Sequence, residues 1–213
     1  MDRRRRGGRI SCSGGLCRAR NRHHFGSLYH DSTVTRNDAR PNLDLMEWTG
    51  QVYADGPAVA AGIYIEAPPE RVWELVSDIF LMPGLSQELQ EVSWLDDAAG
   101  PAAGRRFLGR NANSYRGTWE TVSTVVECDP PRCFSWAVGD PGHPMATWRF
   151  TLRPDGTGTV LEQWARMGPG RSGLSIAIDA MPDKEQKIVF VRLREWEDGM
   201  KHNLAEIKQR AER

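Results

Sequence analysis

The sequence predicts an α+β domain in which a curved antiparallel sheet of about seven strands packs around one long C-terminal helix. Two observations carry this prediction. Short alternating segments, separated by turn residues, fill residues 89–167, which is typical of an antiparallel meander. A single apolar stripe then runs to the C-terminus without a proline, and such a stripe must be buried against another layer.

The sequence predicts one strand and two short helices ahead of the meander. Residues 59–67 read as a strand that Pro68 and Pro69 end. Proline suits the first turn of a helix and Glu70 suits its positive end, so a helix is expected next. Its apolar positions at helical spacing are Val72, Trp73, Leu75, Val76 and Ile79. The pattern breaks near Pro83 and Gly84.

Within the meander, one register of each strand is predicted to face the last helix. The inward residues include Phe107, Asn111, Trp119, Thr121, Trp136, Trp148 and Phe150. The final strand, residues 160–167, mixes polar and apolar side chains in both registers, so its inward face stays open. Residues 168–182 are expected to form a loop with a short apolar piece at 174–178.

The last helix is predicted from the spacing of its apolar residues. The stripe consists of Val189, Leu193, Trp196, Met200, Leu204, Ile207 and Ala211. Asp183, followed three residues later by Gln186, resembles a capping box with Asp183 as the N-cap. The helix should therefore begin just after Asp183.

Composition excludes several classes of protein. The chain has 213 residues, of which 39% are hydrophobic and 26% charged, an ordinary globular mix. The sequence contains no uninterrupted apolar run of 18 residues, so no membrane span is expected. Four cysteines cannot form a disulfide scaffold in a chain of this length, and free thiols are expected at Cys128 and Cys133 in a cytosolic protein.

The first 45 residues differ from the rest of the chain. They hold ten arginines against four aspartates, a net charge of +6, whereas the remaining residues carry −6. Their apolar residues show no period, so we expect a disordered extension, or a misassigned start with translation truly beginning at Met46. Sparse aromatics argue against a nucleic-acid arm. The spacing of Cys12, Cys17, His23 and His24 fits zinc poorly, so no metal is expected.

The body, residues 46–213, resembles the START/Bet v 1-like (SRPBCC) superfamily in its polyketide cyclase/dehydrase branch. The resemblance is carried by IEAPPERVWELVSDI (65–79), GRRFLGRN (104–111), ATWRFTLRPDGTGT (146–159), RMGPGRSGL (166–174) and REWEDGMKHNLAEIK (194–208). It implies a helix-grip fold, in which the sheet wraps around the long helix and leaves a deep apolar cavity. Members of this superfamily bind lipids, sterols, polyketides, hormones or quinones, and no shared catalytic motif defines them.

The candidate ligand site is the wall of this implied cavity. Its predicted residues are Phe107, Asn111, Trp119, Thr121, Trp136, Trp148, Phe150, Leu193, Trp196 and Met200. Tryptophans offer flat, rigid surfaces that suit an aromatic or isoprenoid ligand. Asn111 and Thr121 stand among apolar neighbours, so each needs a polar partner, from a ligand, from water or from the protein. The alternative is that these side chains simply fill the core.

Catalytic residues cannot be assigned from the sequence. The body contains only His143 and His202, in a turn and off the helix stripe, which argues against a Ser-His-Asp or Cys-His site. Tyr115 and Arg149 are candidates for moving protons, but Arg149 alternates away from the inward register. Arg192 lies beside the stripe and is expected at the surface.

These observations predict a cytosolic domain, monomeric or homodimeric, that binds a polyketide-, quinone- or lipid-like molecule without a cofactor. An aromatase/cyclase or dehydratase that uses the same cavity is the first alternative. A protein-interaction module without a ligand is the second.

Overall fold

The computed structural model describes residues 47–95, 100–114 and 116–213. The predictions for residues 1–45 and for Tyr115 lie outside the described residues. The helices and strands are β1 Ala58–Ile65, α1 Pro69–Val76, β2 Leu89–Trp94, β3 Arg106–Asn113, β4 Gly117–Asp129, β5 Cys133–Val138, β6 Ala146–Asp155, β7 Gly158–Met167, α2 Gly173–Ala180 and α3 Glu185–Ala211. Short 3₁₀ helices cover Tyr53–Asp55, Ile79–Gly84 and Pro182–Lys184.

The seven strands form one antiparallel sheet in the order β1-β7-β6-β5-β4-β3-β2. The chain runs as a meander from β2 to β7, and β1 pairs with β7. In this register Asn111 lies opposite Trp119, and Trp136 lies opposite Trp148. The predicted sheet and its inward register are therefore confirmed for β3 to β6.

The two predicted short helices after β1 are present. α1 begins directly after Pro68, and its buried side chains are Val72, Leu75 and Val76. The second is the 3₁₀ helix Ile79–Gly84, which begins where the Asp78 carboxylate accepts a hydrogen bond from the Phe80 N–H at 2.9 Å. α1 contacts β6, β7 and α3, whereas the 3₁₀ helix packs against β2.

The structure assigns the inward register of β7, which the sequence left open. Leu161, Gln163 and Ala165 are buried and lie opposite Leu152, Phe150 and Trp148 of β6. Because cross-strand partners lie on the same face of a sheet, the burial of these β7 residues follows from their pairing with inner-face residues of β6. The sequence of β7 alone does not show which of its two faces is buried.

α3 buries six of the seven predicted stripe residues, and Trp196 is the exception. Trp196 is half-buried, whereas Glu197, beside it, is only 6% exposed. The Glu197 carboxylate pairs with Lys201 Nζ at 3.0 Å. At 3.6 residues per turn, positions 196 and 197 lie on either side of the line from Leu193 to Met200, and apolar spacing alone does not distinguish them.

The predicted N-cap of α3 is wrong. Asp183 lies inside the 3₁₀ helix that Pro182 begins, and α3 begins at Glu185 after Lys184. The Glu185 carboxylate instead accepts a hydrogen bond from the Tyr53 N–H at 2.9 Å. This contact ties the segment ahead of β1 to the start of α3.

A helix, α2, replaces part of the loop predicted between β7 and α3. Ser172 caps it, because its hydroxyl accepts from the Leu174 N–H at 3.2 Å. Leu174 and Ile178 pack against the core, whereas Ile176 is 70% exposed. Within the described ranges, no helix is long and apolar enough to cross a membrane.

Candidate ligand site

Six aromatic side chains meet between the inner face of the sheet and α3. We call this set the aromatic cluster: Phe107, Phe134, Trp136, Trp148, Phe150 and Trp196. Trp136 is at its centre, 9% exposed, with its ring nearly parallel to that of Trp148 at 6.3 Å between centroids. Phe107, Phe134 and Phe150 surround Trp136 at 5.7–6.3 Å.

The aromatic cluster becomes more exposed towards α3. Phe107 and Phe150 are 3% and 4% exposed, but Trp148 and Trp196 are only half-buried. The rings of Trp148 and Trp196 lie 4.9 Å apart and join the sheet to the helix. Trp148 and Trp196 are therefore the most exposed members of the aromatic cluster.

Leu193 and Met200 of α3 complete the apolar part of the predicted site. They are 3% and 1% exposed and belong to the same core as the buried members of the aromatic cluster. A methionine adapts its shape easily, because its chain is unbranched and its sulfur is polarizable.

The structure places the other three predicted residues together at the end of the β3–β4 hairpin. Asn111 Nδ2 donates to Thr121 Oγ1 at 3.4 Å and to the Gly109 carbonyl at 3.3 Å. Trp119 lies opposite Asn111, and its ring stacks under the Arg116 guanidinium at 4.5 Å. The ten predicted residues thus fall into an apolar group and a smaller polar group.

An ion pair that the sequence did not predict joins α3 to Glu88, just ahead of β2, and to the end of β3. Both oxygens of Glu88 accept from the Arg192 guanidinium, at 2.7 and 2.8 Å, and Asn113 Nδ2 donates to the same carboxylate at 3.1 Å. We call Glu88, Asn113 and Arg192 the polar clasp. Its guanidinium also lies 5.6 Å from the centre of the Trp196 ring, so the polar clasp borders the aromatic cluster.

The polar clasp keeps Glu88 ionised. Burial raises the pKa of this carboxyl group, but the hydrogen bonds and positive charge of Arg192 lower it more, so the pKa lies below its ordinary value. Asn113 and the more distant Arg116 act in the same direction as Arg192. Glu88 is therefore an anchor for α3 and a poor proton donor at neutral pH.

The two cysteines that the structure describes, Cys128 and Cys133, have raised pKa values. Burial, followed by hydrogen bonding to Glu127, raises the pKa of Cys133 to about 12. Burial likewise raises the pKa of Cys128, and both residues are free thiols. A thiol is a weak nucleophile while it stays protonated. Among the described side chains, no three His, Cys, Asp or Glu residues come together as metal ligands would.

Arg149 lies on the outer face of the sheet, as its alternation indicated. Its guanidinium stacks on the Trp164 ring at 4.7 Å, and its buried Nε has no hydrogen-bond partner. This position separates Arg149 from the aromatic cluster.

Two open cavities of the structure have linings that include no member of the aromatic cluster. One, of about 570 Å³, is lined by Arg110, Thr118, Trp119 and Glu120. Another, of about 460 Å³, lies along α2 and α3. Between sheet and helix, the aromatic rings contact one another at 4.9–6.3 Å. The deep cavity therefore stays a prediction.

A seven-stranded antiparallel sheet that holds a long C-terminal helix defines the helix-grip class of α+β proteins. Residues 56–183, more than half of the chain, match the family described as polyketide cyclase / dehydrase and lipid transport. The chain belongs to this family. The predicted membership is thereby confirmed.

Solved structures show the same fold. The Polyketide_cyc-like protein Cgl2372 of Corynebacterium glutamicum is 32% identical, with a TM-score of 0.53, and the match covers 71% of this chain and 88% of that one. The di-domain aromatase/cyclases BexL and StfQ are 15% and 13% identical, with TM-scores of 0.56 and 0.58. Those matches cover 74% and 73% of this chain and 50% of each di-domain chain. A search of curated proteins gave no match.

Proposed function

We propose that this protein binds a hydrophobic, polyketide-, quinone- or lipid-like molecule between the inner face of the sheet and α3. The observation that carries the proposal is the aromatic cluster, which extends from buried Trp136 to half-buried Trp148 and Trp196. Planar ligands stack favourably on such rings. Family membership adds support, since the family is described by polyketide cyclization and lipid transport.

Entry of a ligand requires the outer rings to move. Trp148 and Trp196 contact each other at 4.9 Å, and both are half-buried, so a change of rotamer exposes less apolar surface than it would at Trp136. A planar molecule between them replaces one ring contact by two. Met200, beneath Trp196 on α3, can adjust to the new shape.

Asn111 supplies selectivity among ligands. Its hydrogen bonds to Thr121 and Gly109 are long, at 3.4 and 3.3 Å, so its amide can exchange them for a ligand carbonyl or hydroxyl at low cost. Replacement of Asn111 by Leu should penalise ligands that carry such a group and spare pure hydrocarbons.

The titratable groups favour binding over catalysis. Among the described groups whose pKa departs from its ordinary value, Glu88 is held ionised by Arg192, and the thiols of Cys128 and Cys133 stay protonated. A cyclase or dehydratase needs a group that exchanges protons near neutral pH. We therefore assign the protein as a binding or carrier domain, acting in the cytosol as a monomer or homodimer.

Tryptophan fluorescence, titrated with the neutral quinone 2-methyl-1,4-naphthoquinone, tests the proposal. We expect saturable quenching with one quinone per chain and a dissociation constant in the micromolar range, about −8 kcal/mol. Trp196→Ala should weaken binding at least tenfold. Trp164→Ala is the matched control, because Trp164 is also half-buried and stacked on an arginine but lies on the outer face.

Native mass spectrometry of protein from its own host should show a co-purified hydrophobic molecule. Linear, unsaturable quenching, or equal effects of the two tryptophan variants, would contradict the proposal. Those results, combined with ligand-free protein, would favour an interaction module with a solid core.

A further inference from the structure

A groove of about 460 Å³ runs between α2 and the first half of α3, outside the aromatic cluster. Its volume lies within the range of small-molecule sites. It is lined by Leu174, Ala177, Lys184, Lys187, Ile188, Val191, Arg192 and Glu195. The groove thus joins an apolar floor to charged side chains.

The floor is formed by two helices that face each other. Leu174 and Ala177 are three residues apart on α2, and Ile188 and Val191 are three residues apart on α3, so each pair lies on one helix face. Val191 is 45% exposed. An exposed aliphatic floor suits a hydrocarbon chain.

Two lysines give the groove a positive end. Lys184 and Lys187 are both exposed, and Lys184 Nζ approaches the Met181 sulfur only at 4.0 Å. The one acid of the lining, Glu195, contacts Arg192 at 2.8 Å, and Arg192 also pairs with Glu88 at 2.7 Å, so Arg192 adds no excess positive charge to the groove. The excess charge of the lining is therefore positive and comes from the lysines.

We propose that this groove binds an amphipathic carboxylate, a medium-length acyl chain with one acidic head. The acyl chain lies on Leu174, Ile188 and Val191, and the carboxylate meets Lys184 and Lys187. A neutral chain of the same length fills the floor but leaves the lysines without a counter-charge. The site is separate from the proposed site at the aromatic cluster and does not depend on it.

Calorimetric titration of the full chain with dodecanoate below its micelle concentration tests this site. We expect the double variant Lys184→Ala/Lys187→Ala to bind dodecanoate at least tenfold more weakly. Val191→Asp should have a similar effect, because it places a negative charge on the apolar floor, where it repels the carboxylate of the ligand. The matched controls are Arg153→Ala and Val126→Asp, which change exposed residues on other elements and should bind as the wild type does.

Two further measurements locate the site. Dodecanol should bind the wild type and the lysine double variant with equal, weaker affinity, since it lacks the charge. A dodecanoate that carries a terminal diazirine should label peptides within residues 174–191 on illumination. Trp196→Ala should leave dodecanoate binding unchanged, whereas the lysine variant should leave naphthoquinone binding unchanged, which separates the two proposals.

Equal dodecanoate affinity in the lysine variant, the Val191 variant and the wild type would overturn the inference. Labelling of peptides around Trp136 and Trp148 would overturn it too, because the acid would then occupy the aromatic cluster. Binding to phosphatidylglycerol vesicles without binding to monomeric dodecanoate would instead identify the groove as a membrane contact.

Discussion

The C-terminal half of α3 is held by aliphatic side chains, whereas its N-terminal half combines buried Val189 and Leu193 with half-buried aromatic and charged side chains. Leu204 and Ile207 are at most 2% exposed. Polar contacts reinforce this end, because Lys208 Nζ donates to the Tyr64 carbonyl of β1 at 2.8 Å. Fully buried aliphatic side chains contribute strongly to the free energy of unfolding, and substitutions that change their volume are destabilising.

The N-terminal half is built differently. Trp196 meets Trp148 at the edge of the aromatic cluster, and Arg192 reaches across to Glu88. Partly exposed rings and an ion pair contribute less to stability than a dry core does, and they can rearrange. The difference supports the proposal that the C-terminal half of α3 maintains the fold while the N-terminal half meets the ligand.

Leu204→Ala should have the largest effect on stability. Leu204 is 2% exposed in the C-terminal half, so its truncation should lower the free energy of unfolding by about 3 kcal/mol. Urea unfolding measures this loss. Val191→Ala, in the exposed part of the N-terminal half, should change it by less than about 0.5 kcal/mol. Equal losses would remove the distinction between the two halves.

Trp196→Ala should cost less than its size suggests. A buried tryptophan would lose about 3–5 kcal/mol on truncation, but Trp196 is only half-buried, so we expect a loss of about 2 kcal/mol. Its effect on quinone affinity should nevertheless exceed that of Leu204→Ala. Should Leu204→Ala weaken quinone binding more, the assignment of function to the N-terminal half would be wrong.

The polar clasp should make the free energy of unfolding depend on pH in the acidic range. The folded pKa of Glu88 lies below its ordinary value of 4.5, so its contribution is present above that value and is lost as the pH falls through the folded pKa. As the pH falls, the free energy of unfolding of the wild type should therefore drop by about 1 kcal/mol more than that of Glu88→Gln, which lacks this contribution at every pH. Urea unfolding between pH 7 and pH 3 measures the difference.

Glu91→Gln is the control for the polar clasp. Glu91 pairs with Arg110 at 3.0 Å, but both side chains are more than half exposed, so its removal should leave the pH profile nearly unchanged. Parallel pH profiles for wild type and Glu88→Gln would show that the Arg192 ion pair does not stabilise the fold.

Deletion of residues 1–45 should have the smallest effect. Their charge and lack of apolar periodicity predict no burial against the body, so the melting temperature and quinone affinity should stay unchanged. Differential scanning calorimetry of both forms measures this. A loss of several degrees would show that the extension packs on the domain.

The sequence predicts the sheet well because alternation and turns are local signals. The inward register that Trp136 and Trp148 share follows from the hairpin turn between their strands and a period of two. The end of α3 is predicted for a similar reason, since Leu204 and Ile207 repeat at helical spacing. These patterns specify which faces are buried without any knowledge of tertiary contacts.

The candidate site depends on contacts that local patterns do not contain. Glu88 and Arg192 are 104 residues apart, and their pairing becomes visible only once α3 lies beside β2. Whether Trp196 or Glu197 lies on the buried face depends on a rotation of α3 about its axis that is smaller than the angle between consecutive residues, about 100°. Whether aromatic rings pack together or enclose a space depends on rotamers, which residue spacing does not encode.

The most direct test is a ¹H–¹⁵N spectrum of the eight tryptophan indole groups during titration with 2-methyl-1,4-naphthoquinone. The account predicts that the indole signals of Trp148, Trp196 and Trp136 shift saturably, with the two half-buried residues moving most. Trp164, on the outer face, should not shift. Equal shifts at Trp164 and Trp148, or no saturable shift at Trp196, would contradict a ligand site between the sheet and the N-terminal half of α3.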